Sequence, residues 1–285
     1  MKQYAIGLYE KAMPPRLSWE EKLRFAGETG YDFVEISIDE TEDKLARLDW
    51  TADERLALIR TMKETGTPIR SMCLSGHRKY PFGATDPAVR ARSLEIMEKA
   101  VRLADDLGIR IIQLAGYDVY YEEGSEETRA RFKENLARAV DMAAVRGIIL
   151  GFETMETDFM NTTQKAMAYV REIDSPYLGV YPDAGNLTNA AVAAGGSVLD
   201  DLRSGRGRLV ALHLKETKPG VFREVPFLTG HVDFPAVIDC AWELGVRRYV
   251  TEMWYTGNEE TWREDIRFAW GKMSALLDAA ERSKP

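Results

Sequence analysis

The feature that most constrains this chain is a regular alternation of short apolar segments with amphipathic helical segments. Eight apolar segments have the length and flanking turn residues of buried strands, and they begin near residues 4, 31, 69, 109, 148, 177, 209 and 248. A helical pattern follows each of them, and no linker or change of composition interrupts the series. Such alternation is typical of a parallel sheet with crossover helices.

The number of segments and the chain length favour a closed form of this sheet. Eight strand–helix units in 285 residues suit a (β/α)8 TIM barrel, which takes about 250 residues. A doubly wound open sheet is the alternative, but the first strand is not followed by the G-x-G-x-x-G motif of dinucleotide-binding sheets. We therefore predict an α/β fold in which residues 1–285 form a single (β/α)8 barrel domain.

Several helix boundaries carry capping signals. Capping boxes begin at Ser18 and Thr51, and the helices that they open should end near Gly30 and Gly66. After the sixth strand the sequence P-D-A-G-N predicts a loop, followed by a helical region near residues 192–203. After the seventh strand we predict a long loop over residues 215–232.

Four consecutive strands in the second half of the chain end in side chains that can bind a cation. These side chains are Glu153, Asp183, His213 and Glu252. The C-terminal ends of barrel strands share one mouth, so the four should converge although they are distant in sequence. Three carboxylates and one imidazole in a small dry site would repel one another without a cation. The set predicts one divalent metal ion, and its ligands suit Mn²⁺, Zn²⁺, Co²⁺ or Mg²⁺ without selecting one.

Each of these four residues also has a purely structural interpretation when it is taken alone. Glu153 and Glu252 could form salt bridges, Asp183 could cap the following turn, and His213 could bond a backbone carbonyl. Their occurrence at four successive strand ends favours metal binding.

Two glutamates beside a metal ion suggest proton transfer at a carbon next to a carbonyl group. The metal would bind the carbonyl oxygen and its neighbouring hydroxyl as a Lewis acid and stabilise an enediolate. One of Glu153 and Glu252 would remove the proton, and the other would return a proton to the opposite face. These steps amount to an epimerisation.

The composition indicates the cellular compartment of the protein and limits the classes of partner that it can bind. No apolar run approaches the roughly 20 residues needed to cross a bilayer, and the N-terminus lacks a signal-peptide stretch. Two cysteines cannot form a disulfide framework and suggest a reducing compartment. The net charge of −8 argues against nucleic acid as a partner. We expect a cytoplasmic protein that binds neither membranes nor nucleic acid.

Long runs of this sequence resemble one family of sugar-phosphate enzymes, the L-ribulose-5-phosphate 3-epimerases of the xylose isomerase-like barrel superfamily. The runs are G-L-Y-E-K-A-M-P (7–14), D-F-V-E-I-S-I-D-E-T (32–41), R-L-D-W (47–50), S-M-C-L-S-G-H-R (71–78), I-Q-L-A-G-Y-D-V-Y-Y (112–121), Y-P-D-A-G-N-L (181–187), K-E-T-K-P-G-V-F (215–222) and E-M-W (252–254). Members of this family are also known as L-xylulose-5-phosphate 3-epimerases or hexulose-6-phosphate isomerases. The resemblance covers nearly the whole chain.

The resemblance implies a (β/α)8 barrel, a divalent metal, and interconversion of L-ribulose 5-phosphate with D-xylulose 5-phosphate through a cis-enediolate. Carried over residue by residue, the metal ligands fall on Glu153, Asp183, His213 and Glu252, and the acid/base pair falls on Glu153 and Glu252. Barrels of this kind are often dimers, and we expect a homodimer.

Substrate-binding residues are sought among donors in the loops, because a phosphate group needs cationic or amide partners. The charged candidates are His77, Arg78, Lys79, Lys215 and Lys218, and we favour His77 and Lys218. Ser75 adds a hydroxyl group.

Related epimerases of unphosphorylated ketoses carry a His three residues after the Asp ligand and an Arg after the His ligand. This chain has Asn186 and Lys218 in those regions, so its polar contacts with the sugar should differ. The predicted substrate-binding set is Ser75, His77, Asn186 and Lys218.

Two further groups of residues have structural and functional interpretations. Glu35 ends the second strand and is interpreted as a buried structural carboxylate. Four aromatic residues could line the pocket or simply pack in the core: Tyr9, Tyr117, Trp254 and Tyr255.

Three other functions compete with the epimerase. An aldose–ketose isomerase acting on a related sugar phosphate, such as a hexulose 6-phosphate, would need one base rather than two. An abasic-site endonuclease on the same barrel would need several zinc ions and many more histidines than the 3 in this chain. A sugar-binding module without catalysis would tolerate Glu153→Gln, which an epimerase would not.

Overall fold

The computed structural model describes residues 2–283 and contains eight parallel strands. The strands are β1 (Ala5–Tyr9), β2 (Phe33–Ile38), β3 (Ile69–Leu74), β4 (Ile111–Ala115), β5 (Ile149–Glu153), β6 (Leu178–Tyr181), β7 (Leu212–Leu214) and β8 (Arg248–Thr251). Their spatial order is β6-β5-β4-β3-β2-β1-β8-β7. Every ladder between neighbours is parallel, so all C-terminal strand ends share one edge.

The sheet closes into a barrel between β6 and β7, where two isolated parallel bridges replace a continuous ladder. One bridge joins Val180 to Leu209, and the other joins Asp183 to His213. The predicted TIM barrel fold is confirmed, and β7 is shorter than the predicted strand because Leu209 reaches β6 only through a single bridge.

Ten α-helices lie in the described part of the chain. They are α1 (Trp19–Thr29), α2 (Glu42–Leu45), α3 (Ala52–Thr65), α4 (Pro87–Leu107), α5 (Glu126–Val145), α6 (Thr163–Ile173), α7 (Ala184–Ala194), α8 (Val198–Ser204), α9 (Phe234–Glu243) and α10 (Trp262–Ser283). No helix within residues 2–283 is both long and apolar enough to span a bilayer.

The capping signals read from the sequence are present. The Ser18 and Thr51 side chains accept hydrogen bonds from the backbone N–H of the third residue of α1 and α3. The third residue is a glutamate in both helices, and its carboxylate accepts a hydrogen bond from the backbone N–H of Ser18 or Thr51. Gly30 and Gly66 follow these helices with φ of 110° and 72°, a conformation that glycine adopts at little cost.

The predicted helical region near residues 192–203 is wrong in its boundaries. The structure has two helices, because α7 begins immediately after Asp183 and ends at Gly195, where φ is 64°. The Asp183 side chain accepts a hydrogen bond from the Asn186 backbone N–H, which starts a helix within the segment predicted as a loop. This contact also makes Asp183 a helix cap, one of its two expected roles.

An apolar layer fills the inside of the ring of strands. It is formed by Tyr9, Phe33, Cys73, Ile111, Tyr181, Ala211 and Val250. The Phe33 ring lies so close to Gly7 that a Cβ atom there would come within 2.3 Å of it. The absence of a side chain at Gly7 therefore lets Phe33 fill the barrel. A larger core cluster packs between the strands and the helices.

A buried ion cluster holds the first two strand–helix units together. Glu10, which is 1% exposed, accepts hydrogen bonds from Lys22, Lys44 and Arg47. It also accepts the Ser37 backbone N–H at 2.9 Å. Burial alone would raise the pKa of Glu10, but the three cations outweigh it and the pKa lies below its usual value.

Candidate active site

The C-terminal mouth of the barrel brings together the four residues predicted from the strand ends. Glu153 ends β5, His213 lies in β7, and Asp183 and Glu252 lie just beyond β6 and β8. All four are buried, and one ligand atom from each lies within 4.8 Å of the others. The closed barrel is what produces this convergence, because the four come from separate strands.

The geometry of this cluster fits a divalent cation. The Nδ1 atom of His213 lies 3.3 Å from Glu153 Oε1, 3.6 Å from Glu252 Oε2 and 4.0 Å from Asp183 Oδ2. Both of these last two oxygens are buried. Glu252 Oε2 has the Lys215 ammonium at 3.3 Å, whereas Asp183 Oδ2 accepts no hydrogen bond. A buried carboxylate oxygen without a partner is costly, and a cation bound between these atoms would remove that cost.

The carboxylates of the cluster influence one another's ionisation. Burial, and then the charge of Glu252, raise the pKa of Glu153. Burial raises the pKa of Asp183 to about 8 although Lys215 opposes the change. Burial also acts upward on Glu252, but Lys215 and His213 outweigh it, so that the pKa of Glu252 is lowered. Three full negative charges are therefore not tolerated here without additional positive charge.

Lys215 is the cation nearest to the cluster. Its buried ammonium lies 3.2 Å from Asp183 Oδ1 and 3.3 Å from Glu252 Oε2. Burial acts to lower its pKa, but the surrounding carboxylates raise it above its usual value, so Lys215 stays charged. From its sequence position Lys215 is only one of several phosphate candidates, but in the structure it is paired with two of the predicted ligands.

The far side of His213 is held by Glu35, the carboxylate predicted to be structural. Glu35 is fully buried, and its Oε1 atom lies 2.7 Å from His213 Nε2. The other Glu35 oxygen accepts hydrogen bonds from Ser71 Oγ at 2.6 Å and Tyr181 Oη at 2.9 Å. In this arrangement the Nε2–H group of His213 donates to Glu35, and Nδ1 is left facing the three carboxylates.

Asn186 lies beside the cluster at the start of α7. Its amide nitrogen donates to the Thr154 carbonyl at 2.6 Å, while its Oδ1 atom is buried without a partner. Gln113 donates to Glu153, which fixes one oxygen of that carboxylate. These neighbours restrict the orientation of groups around the mouth.

A narrow pocket of about 50 Å³ opens onto the cluster. Its other walls include the aromatic side chains Tyr9, Phe222 and Trp254 and the cations Lys11, Arg78 and Arg223. Ser75 and Asn186 also line the pocket, as a substrate-binding role would require. The combination of aromatic walls with a few convergent polar and charged groups is that of a small-molecule site.

Two of the predicted substrate-binding residues lie elsewhere. The His77 imidazole is 2% exposed, packs 4.4 Å from the Phe82 ring centroid, and contacts the Ser93 carbonyl. Burial lowers the pKa of His77 to about 4, so it is neutral at pH 7. Lys218 is exposed in a turn, where its backbone pairs with Val221. Neither residue lines the pocket.

Arg78 takes the position that His77 was expected to occupy. Its guanidinium lies 5.7 Å from the Tyr117 ring centroid and 5.1 Å from that of Tyr120, and both tyrosines donate to Glu156. From sequence alone, neighbouring residues of one loop could not be told apart, because the short 3-10 turn Ser75–Arg78 decides which side chain faces inward.

Comparison with known proteins gives a family. A model of the xylose isomerase-like TIM barrel matches residues 23–270. The L-ribulose-5-phosphate 3-epimerase UlaE of Salmonella paratyphi A is 48% identical over 254 residues, covering 89% of this chain and 88% of that protein. The chain belongs to the L-ribulose-5-phosphate 3-epimerase family. The UlaE of Shigella sonnei strain Ss046 is 46% identical over 93% of both chains.

Solved structures of other sugar epimerases share the fold of this chain. A D-psicose 3-epimerase crystallised with D-fructose has a TM-score of 0.78 and 17% identity, covering 96% of this chain and 99% of that chain. An L-ribulose 3-epimerase has a TM-score of 0.77 and 18% identity, covering 98% and 96%. The resemblance read from the sequence is therefore confirmed, and membership of the L-ribulose-5-phosphate 3-epimerase family makes the chain an isomerase.

Proposed function

We propose that this enzyme epimerises C3 of a ketopentose 5-phosphate and interconverts L-ribulose 5-phosphate and D-xylulose 5-phosphate. The relatives named as L-ribulose-5-phosphate 3-epimerases are similar along about nine-tenths of both chains, which supports the same reaction here. The single observation that carries the proposal is the pair of buried glutamates, Glu153 and Glu252, contributed to one pocket by different strands.

The two glutamates have the environments that an acid/base pair needs. Burial and the neighbouring charge raise the pKa of Glu153, whereas Lys215 and His213 lower that of Glu252. Environments that push two pKa values apart allow one group to hold a proton while the other accepts one. We assign proton removal at C3 to one glutamate and proton return to the opposite face to the other, through a cis-enediolate of the sugar.

Glu153, Asp183, His213 and Glu252 would hold one divalent ion, Mn²⁺, Zn²⁺, Co²⁺ or Mg²⁺, which supplies Lewis-acid polarisation of the ketone carbonyl. Tyr9 and Trp254, whose rings meet edge to face at 6.1 Å, exclude water from one wall of the pocket. Asn186 and Ser75 offer polar contacts for sugar hydroxyl groups.

The phosphate group would bind the cations at the pocket wall. Lys11, Arg78 and Arg223 line the pocket outside the carboxylate cluster. Arginine binds phosphate oxygens through two parallel hydrogen bonds, and its charge is retained at every physiological pH. These residues replace His77 and Lys218 in the proposed substrate-binding set.

The test is NMR of D-xylulose 5-phosphate in D₂O with metal-loaded enzyme. Deuterium at C3 together with inverted configuration supports the epimerase, whereas deuterium on the neighbouring carbon with an aldose product identifies an aldose–ketose isomerase. Absence of exchange with all four metals contradicts both.

Glu153→Gln and Glu252→Gln should each lower turnover by about 10²–10⁴-fold. The matched control is Glu134→Gln, which removes an exposed carboxylate on α5 and should leave turnover unchanged. A sugar-binding module would bind the substrate with no turnover in any of these proteins.

A further inference from the structure

The opposite, N-terminal mouth of the barrel contains a second cavity, of about 500 Å³. Five of its lining side chains are cations, and they are Lys2, Arg70, Arg110, Arg247 and Arg248. Asp32 is the one carboxylate on its wall, although the chain as a whole carries a net charge of −8. Positive charge is therefore concentrated in one concave place on an acidic protein.

The pairing of these cations leaves most of the positive charge uncompensated. Asp32 is paired with Lys2 at 2.6 Å, and Arg110 reaches only Asp105, at 3.4 Å. Among residues 2–283, Arg70, Arg247 and Arg248 form no ion pair with a carboxylate. In the part of the chain that the structure describes, three guanidinium groups thus line this cavity without a carboxylate to balance their charge.

The strand register explains why the arginines lie close together. Ser71 pairs with Ile111, so Arg70 on β3 lies beside Arg110, which directly precedes β4. Arg248 begins β8, opposite Ala5, and Arg247 directly precedes it. Neighbouring like charges on adjacent strands are destabilising unless an opposite charge lies between them.

One of these arginines is already held in place. The Arg247 guanidinium donates to the carbonyls of Trp242 and Val246, both at 2.9 Å, and stacks 3.8 Å from the Trp242 ring centroid. Arg70 and Arg248 are exposed and have no such contacts. A rigid guanidinium beside two free ones loses little conformational entropy when it binds an anion.

The floor of the cavity separates it from the candidate active site. Phe33 and Ala5 line the cavity, and Phe33 belongs to the apolar layer that fills the barrel. An anion bound at this mouth cannot contact Glu153 or the other carboxylates at the far end. The cavity is thus a distinct site, independent of the proposed epimerase function.

We propose that this N-terminal mouth binds a small molecule carrying two or more phosphate charges. Guanidinium groups bind phosphate oxygens bidentately, and several of them converging suits a diphosphate or a bisphosphate better than a single phosphate. The volume is in the range of metabolite sites. Inorganic pyrophosphate and a phosphorylated metabolite share this chemistry.

The test is isothermal titration of the full-length protein with pyrophosphate and, separately, with fructose 1,6-bisphosphate, so that the two arms distinguish an inorganic ligand from a metabolite. Arg70→Gln combined with Arg248→Gln should weaken binding by about tenfold or more, since each lost charged hydrogen bond contributes on that scale. Arg60→Gln combined with Arg171→Gln removes the same charge from exposed helix positions and should change binding less than about twofold.

Arg78→Gln serves as a second control, because it removes a cation from the other mouth and should leave pyrophosphate binding intact. Four outcomes overturn the proposal: no binding by either ligand below about 1 mM, equal weakening by both double variants, loss of binding in Arg78→Gln, or much tighter binding of a nucleic-acid polymer than of either small anion. Circular dichroism of each variant checks that the fold is retained.

Discussion

Glu35 is the residue whose role in the candidate site depends most on the fold. It contacts His213 Nε2 on the side away from the carboxylates and is itself held by Ser71 and Tyr181. A carboxylate in this position sets the tautomer and orientation of a ligating histidine.

Glu35→Gln should therefore weaken metal binding by about 10–100-fold, because the amide holds His213 less strongly. Competition with a chromophoric chelator measures this affinity without reference to turnover. Glu28→Gln, an exposed change on α1, is the control. Equal metal affinity of Glu35→Gln and the unmodified protein would return Glu35 to a purely structural role.

Arg78 offers a prediction about the phosphate group. Arg78→Gln should raise KM for D-xylulose 5-phosphate by about tenfold or more while an unphosphorylated ketose is affected little, because only the phosphate contact is lost. Steady-state kinetics on the two substrates measures the difference. Parallel losses on both substrates would instead indicate that Arg78 supports the shape of the pocket through Tyr117 and Tyr120.

At this scale the sequence predicted the four strand-end residues but not their neighbours. Each strand-end residue stands out because it follows an apolar run, whereas Glu35 and Lys215 depend on which barrel face a side chain takes. The alternation along β2 offered a signal for Glu35, since Glu35 and Ser37 share the inner face with Tyr181 and Tyr9. No comparable pattern in the sequence indicated that Arg78, and not His77, would line the pocket.

Among the elements, the start of α7 combines two roles in one carboxylate. Asp183 Oδ1 accepts the Asn186 N–H at 2.6 Å, while Oδ2 faces His213. Asparagine at this position keeps the cap acceptor and removes the charge. Alanine removes both.

Asp183→Asn and Asp183→Ala should thus bind metal equally poorly but differ in stability. The metal-free Ala variant is expected to be less stable than the Asn variant by about 1 kcal/mol, the usual contribution of an N-cap. Urea unfolding measures the difference. If the two variants unfold alike, the cap does not stabilise α7.

The buried ion cluster joins β1, β2 and the first helices and makes a prediction about acid stability. Glu10→Gln should lower the free energy of unfolding at pH 7 by about 3 kcal/mol, because Lys22, Lys44 and Arg47 lose their shared anion. Urea unfolding checks this value, and Glu20→Gln, which breaks an exposed pair with Arg24, should cost far less.

The pH dependence has a definite sign. The pKa of Glu10 is lower in the folded protein than its ordinary value of 4.5, so its stabilisation is present above that pH and is lost as pH falls below it. Glu10→Gln should therefore show a shallower loss of stability below pH 4.5. An unchanged acid slope would mean that other carboxylates dominate.

Helix starts with a local capping box were predictable, as at Ser18 and Thr51, because the signal lies within four residues. The start of α7 was missed because its cap residue also follows a strand, and the glycine in the next turn suggested a loop. Burial of the α7 N-terminus against Thr154 overrides that local preference.

For the whole molecule, alternation and length were sufficient to predict the barrel, because few other folds satisfy both. The way in which it closes was not predictable, since it depends on strand ends that pair through single bridges. The second cavity was equally hidden, because its arginines are distant in sequence and meet only when the N-terminal strand ends are adjacent.

The seam between β6 and β7 has a consequence for the intact barrel. One of its two bridges joins Asp183 to His213, and both residues belong to the candidate metal cluster. A cation bound by both side chains would stabilise the pairing between β6 and β7, where the barrel has isolated bridges in place of a continuous ladder. Metal binding would then stabilise the closed barrel in addition to its role in catalysis.

Chelation should accordingly speed hydrogen exchange at the amides of Val210 and His213, which bond across this seam to Val180 and Pro182. The Cys73 amide, inside the β3–β4 pairing, is the internal reference. If exchange at Val210 and His213 stays equally slow after chelation, protein contacts alone hold β6 and β7 together.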